Sequence, residues 1–371
     1  MENAIPVFVL TGGPCAGKTT ALCFLEEKLR ALGYAVFIVP EMATEMTMAG
    51  IRRGDGQFTN EEFQELLVRR VLETERFYHS AARRLAHAKK LMLCDRGIMD
   101  GLAYIDEASF KALCAGRGMS LVGARDERYD AVFHLRSAAI GAEAFYSHAT
   151  NVTRRETLEE AREKDAATIA AWIGHPHLRV IDNSTDFAGK LKRLLGEICA
   201  TLGIPVPMEI ERKFRVAESF DPRTIPVPCR EVEIEQVYLP TATPDEVLRI
   251  RKRGQDGAYV FYHTHKKRVP DKGAFHSVET ERHISEHDYT MLFLARDTAR
   301  RVIRKKRYCF VWKEQYFELD VFVEPTNTFP VLEVEIAERG AIVSLPEFIP
   351  VIQELFHFTN EALASGATTL E

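Results

Sequence analysis

The sequence lacks the features that would place it in a membrane, a disulfide framework or a nucleic-acid coat. Its seven cysteines, at positions 15, 23, 94, 114, 199, 229 and 309, form no Cys-x-x-Cys pair. That excludes a metal finger of this spacing and argues for reduced thiols. No apolar run approaches the roughly 20 residues that span a bilayer. The N-terminus has neither a basic region nor a cleavage site, so no secretory leader is expected. An excess of one charge is missing too: 49 Lys+Arg against 54 Asp+Glu leave a net charge of -5, which argues against a dedicated nucleic-acid coat. Low-complexity segments and solenoid repeats are also absent. Together these absences predict a cytoplasmic chain without integral membrane insertion. With 371 residues, 46% of them apolar, it can fill two ordinary cores, and two domains are the natural expectation.

The two halves of the chain follow different patterns. From residue 5 to about 200, short apolar runs alternate with helical spacing. The runs are Val7–Leu10, Ala35–Val39, Leu91–Cys94, Ala131–Leu135 and Arg179–Ile181. Between them lie a helix from Thr19 to Leu32, stopped by Gly33, and a long amphipathic helix from Phe63 to Ala88. This alternation predicts an α/β fold with a doubly wound parallel sheet and ligands at the carboxyl ends of its strands. Gly203, Pro205 and Pro207 mark a linker over 203–208, which puts the domains at 1–202 and 209–371. Beyond the linker, period-two strands are expected at 208–216, 231–239, 246–253, 258–267, 275–284, 301–311, 315–323 and 331–337. They predict an α+β second domain, an antiparallel eight-stranded sheet closed into a tunnel barrel. Its sparse helix is placed at 286–297 and in the tail after Pro346.

The first strand runs into Gly12-Gly13-Pro14-Cys15-Ala16-Gly17-Lys18-Thr19, which fits the phosphate-binding loop pattern at every required position. Gly12, Gly13, Pro14, Cys15, Ala16 and Gly17, with Lys18, Thr19 and Thr20, are the expected nucleotide-binding residues. Backbone amides and a helix N-terminus would cradle phosphate oxygens, Lys18 would bring a point charge to the terminal phosphates, and the Thr19 hydroxyl would reach Mg²⁺. Asp95 closes an apolar strand, a position from which an acid holds Mg²⁺ or its water shell, and Arg96 follows it. Glu41 ends the second strand and is a candidate base, with Glu45 as its rival. Arg154, Arg155 and Arg162 read as a lid closing on a transferring phosphoryl group, or as part of a solvated charged helix. Asp182-Asn183-Ser184 is placed to flank the base.

Asp95-Arg96-Gly97 resembles the acid-Arg-Ser/Gly motif of nucleoside kinases, and Glu41 resembles the carboxylate with which they take the acceptor hydroxyl's proton. With the glycine loop, Val39-Pro40-Glu41, the arginine segment and Gly174-His175-Pro176-His177, the N-terminal half resembles the AAA-type P-loop ATPases grouped with nicotinamide riboside kinase domains. The resemblance implies Mg-dependent binding of ATP or GTP, with phosphoryl transfer to a small acceptor or hydrolysis. No second-site arginine of a hexameric motor is evident, so motor activity is not implied.

In the second half, alternate residues share a face. Glu209, Glu211 and Lys213 point one way, and the same holds for Arg249 with Arg251 and Glu279 with Glu281. Lys305 with Arg307, Glu318 with Asp320 and Glu333 with Glu335 repeat the pattern. Lys266 follows Thr264 on its own strand. Such ordered charge predicts an enclosed, charged interior rather than a wet face. The strand order and the Glu-x-Glu-x-Lys opening resemble the CYTH, or triphosphate tunnel metalloenzyme, family over about residues 206–371. That resemblance implies a divalent metal, Mg²⁺ or Mn²⁺, on Glu209, Glu211, Glu333 and Glu335, with Glu318 and Asp320 nearby. It also implies a triphosphate gripped by Lys213, Arg249, Arg251, Lys266, Lys305 and Arg307. Hard carboxylates and guanidinium forks suit these ligands.

The fused order of the two halves resembles the TRPL translocation defect protein family, which is associated with GTP and phosphoinositide binding. The expectation is therefore a two-site enzyme, with nucleotide chemistry at the loop and triphosphate hydrolysis in the tunnel. The alternative is a GTP-regulated module that binds a phosphoinositide or other phosphorylated small molecule without tunnel catalysis. No aromatic-basic strip supports an RNA track, so nucleic acid is not an expected partner.

Overall fold

The computed structural model describes residues 5–54, 57–146, 157–204, 211–241, 243, 245–271, 274–336 and 341–366, with backbone only over 268–271 and 274–278. The chain divides into two units, Met1–Leu195 and Gly196–Glu371.

The first unit contains β1 (Val7–Thr11), α1 (Lys18–Ala31), β2 (Ala35–Val39), α2 (Met42–Met48), α3 (Asn60–Arg84) and β3 (Lys90–Asp95). It continues with α4 (Glu107–Ala115), β4 (Ala131–Leu135), α5 (Leu158–Trp172) and β5 (Leu178–Ile181), and α6 (Phe187–Thr201) begins within it. The five strands are parallel in the order β2-β3-β1-β4-β5. β1, β3 and β4 are apolar runs buried along almost their whole length, as strands covered on both faces must be. Because β1 is central and later strands are added on both sides of it, the crevice outside its carboxyl end is where a ligand is accommodated. The long helix begins before the expected Phe63 because a capping box fixes its start. Glu62 N donates to Thr59 Oγ1 at 3.2 Å, and Thr59 N donates to Glu62 Oε2 at 2.8 Å.

The second unit contains β6 (Glu211–Val216), β7 (Cys229–Leu239), β8 (Glu246–Gln255), β9 (Ala258–Asp271), β10 (Ala274–Ile284) and α7 (Glu286–Leu294). β11 (Ile303–Trp312), β12 (Gln315–Glu324), β13 (Val331–Glu335), β14 (Val351–Leu355) and α8 (Asn360–Ala364) complete it. Its antiparallel sheet has the order β10-β9-β8-β7-β11-β12-β13-β6-β14. The eight expected strands all form. A ninth, β14, is added on β6 in the tail that the sequence suggested would be helical, and helix there is confined to α8. The open edge of β6 offers unpaired backbone groups, and satisfying them overrides the local preference of Val351–Leu355. Among the described residues no ladder joins β10 to β14.

One face of this sheet packs Phe214, Val216, Phe310, Phe317, Leu319 and Leu332 into a core. The opposite face carries the charges and is buried as well: Asp320 is 0% exposed and Lys305 3%. The burial is deepest at the centre of that face, while Glu211 and Glu335 at its β6–β13 end stay exposed. No helix among the described residues is long and apolar enough to cross a membrane, and all seven cysteines are free.

Candidate functional site

At the end of β1 the backbone turns through Gly12 (φ +143°), Cys15 (φ +56°) and Gly17 (φ +87°) before Lys18 opens α1. Gly12 has no alternative here, since a Cβ on it would lie 2.1 Å from the Leu135 carbonyl oxygen. The outer side of the loop is clamped by side chains from three other segments. Asp165 of α5, fully buried, accepts from Gly13 N and Ser137 N, each at 2.9 Å, and from Arg136 at 2.7 Å. Ser137 Oγ donates to the Pro14 carbonyl. Lys190 Nζ donates to the carbonyls of Arg136 (2.7 Å) and Ala16 (3.3 Å) and to Asn183 Oδ1 (2.8 Å).

Burial works against ionised Asp165, yet His134 and Arg136 outweigh it and hold the carboxyl well below the usual range. Burial likewise pulls Lys190 down to about 8. Neither residue was anticipated, because Asp165 sits in Ala161-Arg162-Glu163-Lys164-Asp165, which reads as a wet helical surface. Asp165→Asn would turn an N–H group toward donors that need an acceptor. With about 1.5–3 kcal/mol per charge-assisted bond, nucleotide affinity should fall at least about tenfold and the melting temperature should drop, as measured by titration and calorimetry.

Across the crevice, Arg96 takes a left-handed backbone conformation (φ +72°), which is strained for a side-chain-bearing residue. That conformation accompanies two ion pairs, Nε to Glu41 Oε1 at 2.6 Å and NH1 to Asp100 Oδ2 at 3.1 Å. Asp100, absent from the sequence expectations, also accepts from Thr11 Oγ1 (2.7 Å) and Trp172 Nε1 (2.6 Å). Burial pushes the Glu41 carboxyl up, but Arg96, Lys18 and a hydrogen bond from Thr44 prevail and hold it at about 2. Asp95 is raised by burial against the pull of Lys18. Its Oδ1 is buried without a hydrogen-bond partner among the described residues. A hard cation or its water shell is the partner such an oxygen suits, so the donor set here fits Mg²⁺ or Mn²⁺.

A cavity of about 1200 Å³ brings together Lys18, Thr19, Thr20, Glu41, Asp95 and Arg96. Pro14, Cys15, Ala16 and Gly17 also line it, while Gly12 and Gly13 brace the loop from outside the lining. Asn183 lines the same cavity. Arg162 does not reach it: its guanidinium donates to the Ala139 carbonyl at 2.8 Å and pairs with Glu159 and Glu143. Arg154 and Arg155 lie outside the described residues. Glu45, the rival to Glu41, pairs with Arg70 at 2.8 Å and does not line the cavity.

In the second unit, strand register decides which charges share a face. Lys213 stands opposite Glu333, Glu333 opposite Glu318, and Arg307 opposite Asp320. Gln236 stands opposite Arg251, Tyr238 opposite Arg249, and Lys266 opposite Glu279. Directly opposed residues project to the same side. All six expected cations therefore share a face with Glu211, Glu318, Asp320, Glu333 and Glu335, while Glu209 lies outside the described residues.

On this face the cations are tied to acids. Lys213 pairs with Glu211 (2.9 Å) and Glu333 (3.1 Å), and Arg307 pairs with Asp320 (2.7 Å), Glu333 (2.8 Å) and Glu318. Lys305 pairs with Asp320, Arg249 with Glu279 at 2.9 Å, and Lys266 with Glu279. Arg251 is held more loosely. Its Nε is buried with no hydrogen-bond partner among the described residues, and its guanidinium reaches the Glu281 carboxylate only at 3.8 Å. Burial and the neighbouring Arg249 charge push its pKa down, so an anion would be welcome there. Arg253, only 2% exposed, extends the same row and was missed. The signal was available in the alternation Arg249-x-Arg251-x-Arg253.

Two acid pairs are set directly opposite each other, Glu211 with Glu335 and Glu318 with Glu333. Like charges so placed repel, and hard oxygen donors facing each other fit a divalent ion. Among the described residues no three acidic, histidine or cysteine side chains already form a cage. For Glu333, burial favours the neutral acid, but Lys213, Arg307 and Lys305 hold its pKa well below the usual range. A depressed folded-state value gives stability that is full above the ordinary carboxylate pKa and is lost as pH falls toward the folded one. Glu333→Gln should therefore flatten the acid limb of the stability profile below about pH 4.3, read by denaturant unfolding across pH.

The first unit has the fold and loop of a P-loop nucleotide-binding domain, and the second has an antiparallel sheet enclosing ordered charge. Residues 7–190 match the family model for the AAA domain AAA_28, and residues 207–350 match that for the CYTH domain. The chain thus joins an AAA domain to a CYTH domain. Among solved structures, the inorganic triphosphatase NE1496 is 30% identical over 42% of this chain and 94% of its own, with a TM-score of 0.31. The PH1012 protein of Pyrococcus horikoshii OT3 is 26% identical over 38% of this chain and 82% of its own, with a TM-score of 0.26. None of the curated proteins matches the chain.

Proposed function

We propose that the protein performs phosphate chemistry at two separate sites: nucleotide binding with phosphoryl transfer or hydrolysis at the P-loop, and hydrolysis of a nucleotide or inorganic triphosphate in the CYTH unit. The observation that carries the second part is the buried charged face. Seven cations, Arg253 included, and the acids Glu211, Glu279, Glu281, Glu318, Asp320, Glu333 and Glu335 share one side in register, and burying the middle of that set is costly unless a polyanion and a metal use it. Glu211, Glu333 and Glu335, with Glu318 and Asp320 beside them, would hold Mg²⁺ or Mn²⁺. The bound ion supplies charge neutralisation that opens a terminal phosphorus to water. Lys213, Arg249, Arg251, Lys266, Lys305 and Arg307 align the chain, and each phosphate oxygen they take releases an acid from its ion pair.

At the P-loop, ATP or GTP would lie with its terminal phosphates on Lys18 and the loop amides, and Thr19 and Asp95 would hold the metal. Glu41 would orient the acceptor hydroxyl and receive its proton. At a pKa of about 2 with Arg96 on it, it is a weak base at rest. Phosphate release from ATP, GTP and tripolyphosphate, with and without Mn²⁺, tests this reading. Metal-dependent release from at least one triphosphate supports it, and no release from any of them with metal present rejects tunnel catalysis.

A further inference from the structure

Beyond the carboxyl end of β5, Asn183, Thr185 and the Oδ1 of Asp186 are engaged by groups of the protein itself. Asn183 Nδ2 donates to the carbonyls of Ser137 (2.8 Å) and Ile140 (2.7 Å), and its Oδ1 accepts from Lys190. Thr185 Oγ1 donates to the Asp186 carbonyl at 3.2 Å and accepts from Arg193 at 3.3 Å. Asp186 Oδ1 accepts from Gly189 N at 2.7 Å. Phe187, the first residue of α6, is different. It lines the same cavity as the phosphate loop and is 45% exposed. The Cε2–Cζ edge of its ring lies so close to Gly17 that a Cβ there would come within 2.6 Å. An apolar ring thus borders the point where the loop passes into α1.

We infer that Phe187 is the stacking platform for the base of the nucleotide held by the P-loop, and that this site accepts adenine and guanine alike. The inference rests on the nucleotide-binding reading of the first unit. Every base has a π-face, so stacking on an aromatic ring tolerates any of them. Strong discrimination requires polar groups that go unpaired with the wrong ligand. Here Asn183, Thr185 and Lys190 already have partners inside the protein. The phosphates fix the nucleotide at Gly17 and Lys18, and the ring beside Gly17 is the apolar surface within reach of the other end.

Calorimetric titration of the full chain with ATP, GTP and tripolyphosphate in Mg²⁺ tests this, with Lys18→Ala identifying the P-loop isotherm. The expected result is ATP and GTP affinities within about tenfold of each other. Phe187→Ala should weaken both by about 5- to 150-fold, leave P-loop binding of tripolyphosphate unchanged, and be matched by Phe187→Leu. Phe187→Trp should restore binding. The inference is overturned if Phe187→Ala leaves nucleotide affinity intact, if tripolyphosphate loses equally, if Leu rescues, or if Asp186→Ala abolishes a strong preference for one base. Absence of any Lys18-dependent nucleotide isotherm in the unsubstituted protein would instead remove the nucleotide reading itself.

Discussion

Replacing Glu211 and Glu335 together by glutamine should abolish triphosphate hydrolysis in the CYTH unit. The two residues stand directly opposite on β6 and β13 and both are exposed to water, so the change keeps side-chain size and spares the core. It removes two negative charges from a face whose proposed ligand is itself strongly anionic. If these acids hold a metal, the site loses its ion and turnover falls to background. If the face is a metal-free anion receptor, the same change relieves like-charge repulsion and triphosphate binds more tightly through Lys213, Arg249 and Arg251. Hydrolysis and binding, each measured with and without EDTA, therefore move in opposite directions under the two readings. Tighter, metal-independent binding by a protein that never hydrolyses triphosphate would end the enzyme assignment for this unit.

Lys18→Ala should eliminate nucleotide turnover at the P-loop while tripolyphosphate hydrolysis continues at the unsubstituted rate. Burial and Arg96 weaken the Lys18 charge, while Asp95, Glu41 and Asp100 sustain it. Removing a lysine aimed at terminal phosphates deletes charge stabilisation that the transferring group depends on. The cations of the CYTH unit lie on a different sheet in a different unit, so under the two-site proposal their chemistry does not draw on Lys18. A parallel loss of tripolyphosphate hydrolysis would contradict the two-site account.

Both the parallel and the antiparallel sheet were legible because each rests on a simple period. Short apolar runs such as Val7–Leu10 and Leu91–Cys94, alternating with helical segments, fit strands covered on both faces, and the alternation of acids and bases survives as one face because side chains on a strand repeat every two residues. The P-loop was legible for a related reason, since its glycines answer local steric demands. β14 was not legible, because its partner β6 lies far away in sequence and the pairing is a tertiary choice. Asp165, Lys190 and Asp100 were equally hidden. Asp165 and Lys190 sit in charged helical segments that read as surface and Asp100 is a lone acid in an apolar stretch, and only the packing of α5 and α6 against the loop, and of Thr11 and Trp172 around Asp100, shows what they bond. Of the three arginines read as a lid or as a solvated helix, only Arg162 lies among the described residues, where it is bonded to Ala139, Glu143 and Glu159 outside the cavity lining.

The most direct test of the central claim is a two-by-two measurement of phosphate release. Lys18→Ala and the Glu211→Gln, Glu335→Gln double variant would each be assayed on tripolyphosphate and on ATP in Mg²⁺, together with the variant that combines all three substitutions. Two independent sites predict that Lys18→Ala hydrolyses tripolyphosphate normally and that the double variant does not. They also predict that ATP turnover persisting in the double variant disappears when Lys18→Ala is added. Loss of both activities from Lys18→Ala alone, or undiminished tripolyphosphate hydrolysis by the double variant, would contradict the account.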